Sequence, residues 1–308
     1  MLYSIIIPVY RSQYTLEELC SRIKAVFADQ PGRDFEIILV NDSSPDASWE
    51  VMRKLHEVDN RIKIINLARN YGQHSAIYCG LQHFSGDYVI LMDDDLQNPP
   101  EEIPKLIRAM DSDPELDVVF GSYNSKKHSL FRRAGSQLIG RIGASIAKRD
   151  HRIKFTNFRI IRARVARDMA SIHVYQPRIG GLILQCTNKF GATPVEHQSR
   201  QYGKSGYTFS RLFKDFLSII IGSSTLPLKL ISTFGLIVAT LSMLSALVLV
   251  IRHFFRGSSV AGWTSMMVAI SFFSGFILFS LGIIGEYLIR ILMEAKKTPV
   301  YFEREKFF

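Results

Sequence analysis

The pattern that most constrains this chain is an alternation of short apolar runs with amphipathic stretches over residues 3–119. Short apolar runs bounded by turns are typical of buried strands, and strands buried on both faces belong to parallel sheets covered by helices. The amphipathic stretches include Leu16–Phe27 and Ser75–Phe84. The predicted strands are Ile5–Val9, Glu36–Val40, Ile62–Leu67, Tyr88–Met92 and Asp117–Phe120. The pattern predicts an α/β fold with a parallel sheet, whose functional side chains follow the carboxyl ends of its strands.

Two long uncharged runs stand near the end of the chain. Leu230–Ile251 has 22 residues and Gly257–Gly285 has 29, and neither contains a charged side chain. A helix needs about 20 apolar residues to cross a bilayer, so we predict a transmembrane hairpin with helices at about 230–251 and 264–287. The alternative is a pair of buried core helices. Lys and Arg residues flank the hairpin on both sides, which predicts that both termini are cytoplasmic.

The charges divide the chain into an acidic part and a basic part. Residues 1–120 carry 11 Lys and Arg against 20 Asp and Glu, whereas residues 121–308 carry 27 against 8. A basic region of this strength favours nucleic acid, anionic lipid or a phosphorylated substrate, and the uncharged runs favour lipid. Cys20, Cys79 and Cys186 are odd in number and scattered, which indicates a reducing compartment without a disulfide framework.

Three consecutive carboxylates follow the predicted strand that ends at Met92. They are Asp93, Asp94 and Asp95, and they repel one another unless a cation compensates their charge. The alternate residues Asp93 and Asp95 can direct oxygens to Mg²⁺ or Mn²⁺, which prefer carboxylate, amide and water oxygens, and Gln97 can add an amide oxygen. The alternative is a solvated acidic turn.

Two further strand ends carry polar groups, and two nucleotide motifs are excluded. Tyr10 follows the first predicted strand, and Asp42 follows the second, where it either contacts a nucleoside or caps a turn. No glycine lies between Met1 and Pro31, which excludes a GxGxxG loop there. A P-loop is excluded because Gln198 occupies the position of its first glycine.

Several motifs together resemble the inverting GT-A glycosyltransferases that use polyprenyl phosphate. This group includes dolichol-phosphate mannosyltransferases and the bacterial undecaprenyl-phosphate glucosyl and aminoarabinose transferases. The most specific motif is the DxDLQxPPE run from Asp93 to Glu101, and Arg69–Ala76 resembles the aminoarabinose branch. The resemblance spans nearly the whole chain and also includes Pro8–Tyr10, Asn41–Ser44 and the closing Thr298–Tyr301.

The resemblance implies a role for each matching position. The metal ligands for Mg²⁺ or Mn²⁺ would be Asp93, Asp95 and Gln97. The nucleotide-sugar-binding residues would be Pro8, Tyr10, Asp42, Arg69, Asp93 and Asp94. The acceptor-phosphate-binding residues would be Arg132, Ser136, Arg200, Lys204 and Ser205. The catalytic residues would be Asp93, Asp95 and Arg200.

The same resemblance implies an organisation and a reaction. Residues 1–208 would form a cytoplasmic GT-A catalytic domain, 209–227 an interfacial amphipathic helix, 228–292 a transmembrane hairpin and 293–308 a cytoplasmic tail. The enzyme would lie in the bacterial plasma membrane and transfer a sugar from a nucleotide-diphosphate sugar to polyprenyl phosphate with inversion. The product would be a lipid-linked monosaccharide for cell-envelope glycans. Relatives include oligomers, and no nucleic acid partner is expected.

Five positions depart from the family pattern. Ser43 replaces the usual glycine, Arg11 and Ser12 replace the common Asn and Glu, and Asp94 replaces a small residue. Asn157 stands where many relatives carry an Asp that is a candidate base, and an Asn cannot accept a proton there. A phosphate monoester acceptor needs no base, because its second pKa of about 6 leaves it largely ionised at neutral pH.

Two other functions compete with this interpretation. One is a transferase of the same fold that acts on a glycolipid or a polysaccharide. The other is a membrane-tethered binding module without catalytic activity, of which a nucleic-acid binder is a basic-surface variant. Strand-end carboxylates disfavour such modules, because they would repel phosphates in the absence of a metal.

Overall fold

The computed structural model describes residues 1–123, 156–198, 233–234, 237, 262–295 and 299–308. The chain forms two compact units. The first comprises Met1–Lys204 together with Lys297–Phe308, and the second comprises Ser205–Lys296.

An eight-stranded sheet organises the described part of the first unit. Its strands, in chain order, are β1 (Leu2–Val9), β2 (Asp34–Asn41), β3 (Ile62–Leu67), β4 (Tyr88–Leu91), β5 (Val118–Tyr123), β6 (Arg159–Arg162), β7 (Phe190–Val195) and β8 (Glu303–Phe307). The order across the sheet is β7-β5-β6-β4-β1-β2-β3-β8. The helices of this unit are α1 (Leu16–Ala28), α2 (Ser48–Val58), α3 (Gln73–Gly80), α4 (Ile103–Ser112), α5 (Ala163–Ser171) and α6 (Ile179–Cys186).

The central strands of the sheet are buried on both faces, as the unbroken apolar strands predicted. Successive side chains of a strand point to opposite faces, so Ile5 and Ile7 of β1 pack in one hydrophobic cluster and Ile6 in another. Buried residues of α1, α2 and α4 complete the first cluster, and those of α3, α5 and α6 complete the second. The predicted α/β layering is therefore confirmed, with helices covering both faces of one sheet.

The five strands predicted from the sequence, β1 to β5, run in the same direction, as expected for a parallel sheet, but the complete sheet is mixed. Strands β1 to β4 pair in parallel, whereas β6 runs antiparallel to both β4 and β5, and β8 runs antiparallel to β3. The sequence of β6 is RIIR and that of β8 is EREKF. Neither strand contains an unbroken apolar run of the kind that predicted β1 to β5. Both strands owe their position to pairing partners that are distant in the chain.

The closing residues Lys297–Phe308, which form most of the predicted cytoplasmic tail over 293–308, belong to the first unit. Strand β8 pairs with β3 at the end of the sheet, and the backbone N–H of Ala68 donates to the carbonyl of Phe302 at 2.8 Å. The ring of Phe307 lies 6.2 Å from the ring of Trp49, measured between centroids. A charged strand of this kind covers the backbone groups that β3 would otherwise expose to solvent.

In the second unit the structure describes a 33-residue helix, α7 (Trp263–Ala295), which contains the predicted hydrophobic segment 264–287. Apart from residues 233, 234 and 237, the other predicted segment, 230–251, lies outside the described residues, as does the predicted amphipathic helix 209–227. Counting only described residues, no helix combines the length and the hydropathy needed to cross a membrane. The hairpin stays a prediction.

Candidate active site

Three parallel strands, β1, β2 and β4, end at one edge of the sheet. They are followed by Tyr10, by Asp42 and by the acidic cluster Asp93–Asp95, respectively. Val9 at the end of β1 is paired with Asn41 at the end of β2, and β4 continues beside β1 up to Leu91. Parallel strands share the direction of their carboxyl ends, so Asp42 and the acidic cluster after β4 lie at this same edge. The prediction of polar groups at the strand ends is thus confirmed in its placement.

Asp94 turns towards the loop after β1. Its Oδ2 accepts the backbone N–H of Tyr10 at 3.0 Å and the hydroxyl of Ser12, and the hydroxyl of Thr15 donates to the Asp94 carbonyl at 2.7 Å. The pKa of Asp94 is raised to about 7, chiefly by burial and with a smaller contribution from the neighbouring carboxylates, while the two hydrogen bonds act in the opposite direction. Ser12 and Asp94 both depart from the family pattern, and here they are hydrogen-bond partners. A Glu at position 12 would instead have repelled Asp94.

Asp93 and Asp95 make other contacts. The Nε2 of Gln73 donates to Oδ1 of Asp93 at 2.5 Å, and Nδ2 of Asn157 lies 3.3 Å from both carboxylate oxygens of Asp93. Oδ1 of Asp95 accepts the backbone N–H of Gln97 at 3.1 Å. Asp94 is directed to the β1 loop, which leaves the carboxylates of Asp93 and Asp95 and the side-chain amide of Gln97 as the candidate donor set after β4. This donor set fits Mg²⁺ or Mn²⁺, and a cation would relieve the repulsion within the cluster.

Asp42 holds a neighbouring loop. Its two carboxylate oxygens accept the backbone N–H groups of Tyr71 at 2.6 Å and Gly72 at 2.8 Å. The side chain is buried, and burial raises its pKa, although both hydrogen bonds favour the ionised form. Gly72 has φ +89°, a conformation that glycine adopts without strain. Asp42 therefore fixes the loop that carries Arg69, whose guanidinium lies 4.9 Å from the centre of the Tyr71 ring.

The predicted site residues are only partly brought together. Pro8 lies within β1 opposite Val40, and the ring of Tyr10 is 43% exposed at the catalytic edge. The positions assigned to the acceptor phosphate all lie outside the described residues. They are Arg132, Ser136, Arg200, Lys204 and Ser205.

Sequence reasoning missed Arg159, the first residue of β6. Arg159 is only 3% exposed, and its Nη2 donates to Oδ1 of Asn157 at 3.2 Å. Asn157 in turn donates to Asp93, so Arg159 is linked to Asp93 through one side chain. Burial lowers the pKa of Arg159 to about 10, while the negative charge of Asp93 opposes this shift. A cation directly before the Ile160–Ile161 pair was the one signal in the sequence that could have identified it.

A cavity of about 450 Å³ lies at the ends of β5 and β7. It is lined by Lys105, Tyr123, Pro194, Val195, Glu196, His197 and Gln198. The backbone N–H of Gln198 donates to the carbonyl of Gln97 at 2.9 Å, and the Tyr123 hydroxyl donates to Oδ1 of Asn98 at 2.7 Å. Two residues of the cavity lining are therefore hydrogen-bonded to Gln97 and Asn98, which follow the acidic cluster in the chain.

A sheet covered by helices on both faces, with an Asp-x-Asp pair after a central parallel strand, is the architecture of the GT-A class of glycosyltransferases. The sequence profile described as glycosyl transferase family 2 matches residues 4–170. The chain belongs to glycosyl transferase family 2, and it is a glycosyltransferase.

Individual relatives agree with this assignment. Undecaprenyl-phosphate 4-deoxy-4-formamido-L-arabinose transferase of Edwardsiella ictaluri is 34% identical over 302 residues, covering 97% of this chain and 92% of that protein. The uncharacterized glycosyltransferase YkcC of Bacillus subtilis is 31% identical over 306 residues, covering 99% of this chain and 94% of that protein.

A solved structure shows the same fold. Glucosyl-3-phosphoglycerate synthase from Mycobacterium tuberculosis, crystallised with Mn²⁺ and uridine-diphosphate-glucose, has a TM-score of 0.51 and 13% sequence identity to this chain. The match covers 71% of this chain and 76% of that one. The predicted GT-A fold of the catalytic unit is confirmed.

Proposed function

We propose that this enzyme transfers a sugar from a nucleotide-diphosphate sugar to undecaprenyl phosphate, with inversion, to make a lipid-linked monosaccharide for cell-envelope glycans. The observation that carries the donor half is the separation of Asp93 and Asp95 from Asp94 at the carboxyl edge of β4. The acceptor half rests on similarity over nearly the whole chain to an undecaprenyl-phosphate transferase.

In the donor half, the carboxylates of Asp93 and Asp95 and the amide of Gln97 would hold Mg²⁺ or Mn²⁺. A divalent cation bound there supplies positive charge to a departing nucleotide diphosphate. Asp42 fixes the Tyr71–Gly72 loop beside the site through two backbone hydrogen bonds, so the wall of the nucleotide site is organised before the donor binds.

In the acceptor half, Asn157 favours a phosphate over a hydroxyl nucleophile. Asn157 occupies the position of a candidate base and donates its amide to Asp93, so this side chain cannot accept a proton. A hydroxyl acceptor needs a base more acutely than a phosphate monoester, which is largely ionised at neutral pH. The lipid phosphate oxygen would attack the anomeric carbon opposite the leaving diphosphate, and this single displacement inverts the configuration.

The proposed location is the cytoplasmic face of the bacterial plasma membrane. Two features of the sequence support it, the uncharged runs Leu230–Ile251 and Gly257–Gly285 and the strongly basic composition of residues 121–308. A segment of this length and hydropathy can anchor a catalytic domain beside a polyprenyl acceptor, and the positive residues favour the anionic cytoplasmic leaflet.

The test uses membranes that contain the full chain, incubated with undecaprenyl phosphate and a panel of nucleotide sugars in Mn²⁺ or Mg²⁺. We expect a lipid-linked monosaccharide, identified by mass spectrometry, with the inverted anomer seen by NMR. Excess EDTA and Asp95→Ala should each abolish the product, whereas Asp29→Ala, an exposed carboxylate at the end of α1, should leave it unchanged.

Three results would contradict the proposal. Transfer that persists in EDTA, or in the Asp95→Ala variant, would contradict the proposed metal site. Transfer to a glycolipid or polysaccharide, with none to undecaprenyl phosphate, would establish the alternative transferase of the same fold. Binding of a nucleotide sugar without transfer to any acceptor would favour the binding module.

A further inference from the structure

We propose that Arg159 and Asn157 form a positioning relay that sets the orientation of Asp93. The relay deepens the proposed function and rests on it, because it assigns two residues to the support of the proposed metal ligand. Both are positioning residues, since neither needs to touch the substrate. The strand register, the polarity of each group and the burial of Arg159 support the relay.

The register of β6 places the relay beside Asp93. Strand β6 is antiparallel to β4, and Arg159 is paired with Leu91, the last residue of β4. Asp93 follows Leu91 by two residues, and Asn157 precedes Arg159 by two residues. An antiparallel partner therefore delivers Asn157 opposite Asp93, whereas a parallel strand would have delivered the residues that follow it.

The polarity of the three side chains allows one orientation of the Asn157 amide. Arg159 can only donate hydrogen bonds, and its Nη2 and Nε lie 3.2 and 3.3 Å from Oδ1 and the backbone carbonyl of Asn157. The amide NH₂ must then face the carboxylate of Asp93, whose two oxygens are both 3.3 Å away. A flipped amide would set its NH₂ group against the donors of Arg159 and its oxygen against the acceptors of Asp93.

The buried guanidinium of Arg159 acts on the groups that lie next to it. A buried guanidinium is costly unless it is paired, and an apolar residue of similar volume often gives equal or greater stability. Arg159 is 3% exposed, and its Nη1 finds no hydrogen-bond partner among the residues that the structure describes. Its guanidinium also lies 5.5 Å from the centre of the Phe120 ring. Its charge is thus directed to Asn157 and to the nearby Asp93 carboxylate.

The relay explains why Asn is suited to position 157. A carboxylate there would face both oxygens of Asp93 and repel them, whereas the amide of Asn157 attracts them. Asn157 can thus hold one rotamer of Asp93 in the absence of bound metal. Residues that orient a metal ligand commonly change metal affinity by about 10–100-fold when they are mutated.

The experiment measures Mn²⁺ binding by electron paramagnetic resonance on the purified full chain, without donor or acceptor. The variants are Arg159→Lys, Asn157→Ala and the double variant. Arg162→Lys is the matched control, because Arg162 lies on the same strand and donates to the Leu116 carbonyl at 2.6 Å, away from the acidic cluster. Thermal unfolding in parallel verifies that each variant is folded.

We expect each single variant to bind Mn²⁺ about 10-fold more weakly and the double variant to bind no worse than the weaker single variant. The control should match the wild type. Unchanged Mn²⁺ affinity in folded Arg159→Lys, or effects that multiply in the double variant, would overturn the relay. If Arg159→Lys does not fold, unchanged affinity in Asn157→Ala overturns it. A wild-type chain that binds Mn²⁺ but transfers no sugar would contradict the proposed function and leave the relay standing.

Discussion

Two regions of the sheet supply the candidate active site in opposite ways. In the parallel region, formed by β1, β2 and β4, the site residues follow the strands, as Asp42 and Asp93 do. In the antiparallel region, formed by β6, the site residues stand before or at the beginning of the strand, as Asn157 and Arg159 do. The direction of a strand therefore decides which of its ends contributes side chains to the catalytic edge.

The two regions also differ in chemistry. The parallel region contributes carboxylates, and β6 contributes an amide and a guanidinium, so hydrogen-bond acceptors face donors across the boundary between β4 and β6. The carboxylate of Asp93 in the parallel region accepts hydrogen bonds from Asn157, which in turn accepts one from Arg159 of β6. Variants on the two sides, and at positions remote from the boundary, can test this comparison.

The largest effect is expected for Asp93→Asn in the parallel region. Loss of this charge should lower the rate of sugar transfer by about 10³-fold, which is typical when an electrostatic contact to developing charge is removed. Steady-state transfer assays at saturating Mn²⁺ would measure it. A decrease much smaller than that of Asn157→Ala would break the comparison, because the supporting residue would then matter more than the ligand that it supports.

A smaller effect is expected for Asp42→Ala, which leaves the backbone N–H groups of Tyr71 and Gly72 without their acceptor. Each unsatisfied buried donor costs about 1–3 kcal/mol, so the free energy of unfolding should fall and the KM for the donor should rise. Chemical denaturation and donor titrations would measure both. Asp34→Ala, at the other end of β2, is the control and should leave the KM unchanged.

The third prediction concerns β8, which is remote from the β4–β6 boundary. Burial alone would raise the pKa of Glu303, but hydrogen bonds from Lys306 and His83 outweigh burial and hold that pKa below its ordinary value; Cys79 and Tyr301 also face this carboxyl group. A depressed folded-state pKa stabilises the fold above the unfolded value, about 4.5, and this contribution is lost as the pH falls through the folded value.

Glu303→Gln should therefore reduce the free energy of unfolding at neutral pH by about 0.5–1 kcal/mol, because the ion pairs are partly exposed. The difference from the wild type should shrink below about pH 4.5. Denaturation at a series of pH values would measure it. Mn²⁺ affinity should not change, and a large change would show that the sheet edge and the active site are coupled.

The last prediction, an effect as small as that of Glu303→Gln, concerns Ser43→Gly in the parallel region. Ser43 has φ 53°, in the left-handed region where a side chain costs about 1 kcal/mol, so glycine should raise the free energy of unfolding by about 0.5–1 kcal/mol. The matched variant Ser44→Gly removes a hydroxyl that accepts the backbone N–H of Arg11 at 3.2 Å, and it should be destabilising. Equal effects of the two changes would contradict the conformational explanation.

The parallel region was largely predictable, because its strands are unbroken apolar runs and the carboxylates follow β2 and β4 closely. The predicted strands at Ile62–Leu67 and Tyr88–Met92 match β3 and β4 within a residue. The alternation of buried residues between two helical layers is also encoded locally, since it depends on the period of the strand. The DxDLQxPPE run likewise marks the acidic cluster after β4 through neighbouring residues alone.

By itself, the sequence determined the α/β class, the succession of the main strands along the chain and the acidic cluster that follows β4, because each depends on neighbouring residues. The tertiary structure alone decided that β6 runs antiparallel, that β8 closes the edge of β3, and that Asp94 binds the β1 loop while Asp93 meets Asn157 and Arg159. These outcomes depend on pairings between residues that are far apart in the chain. Such pairings are set by packing and register, which no local pattern records.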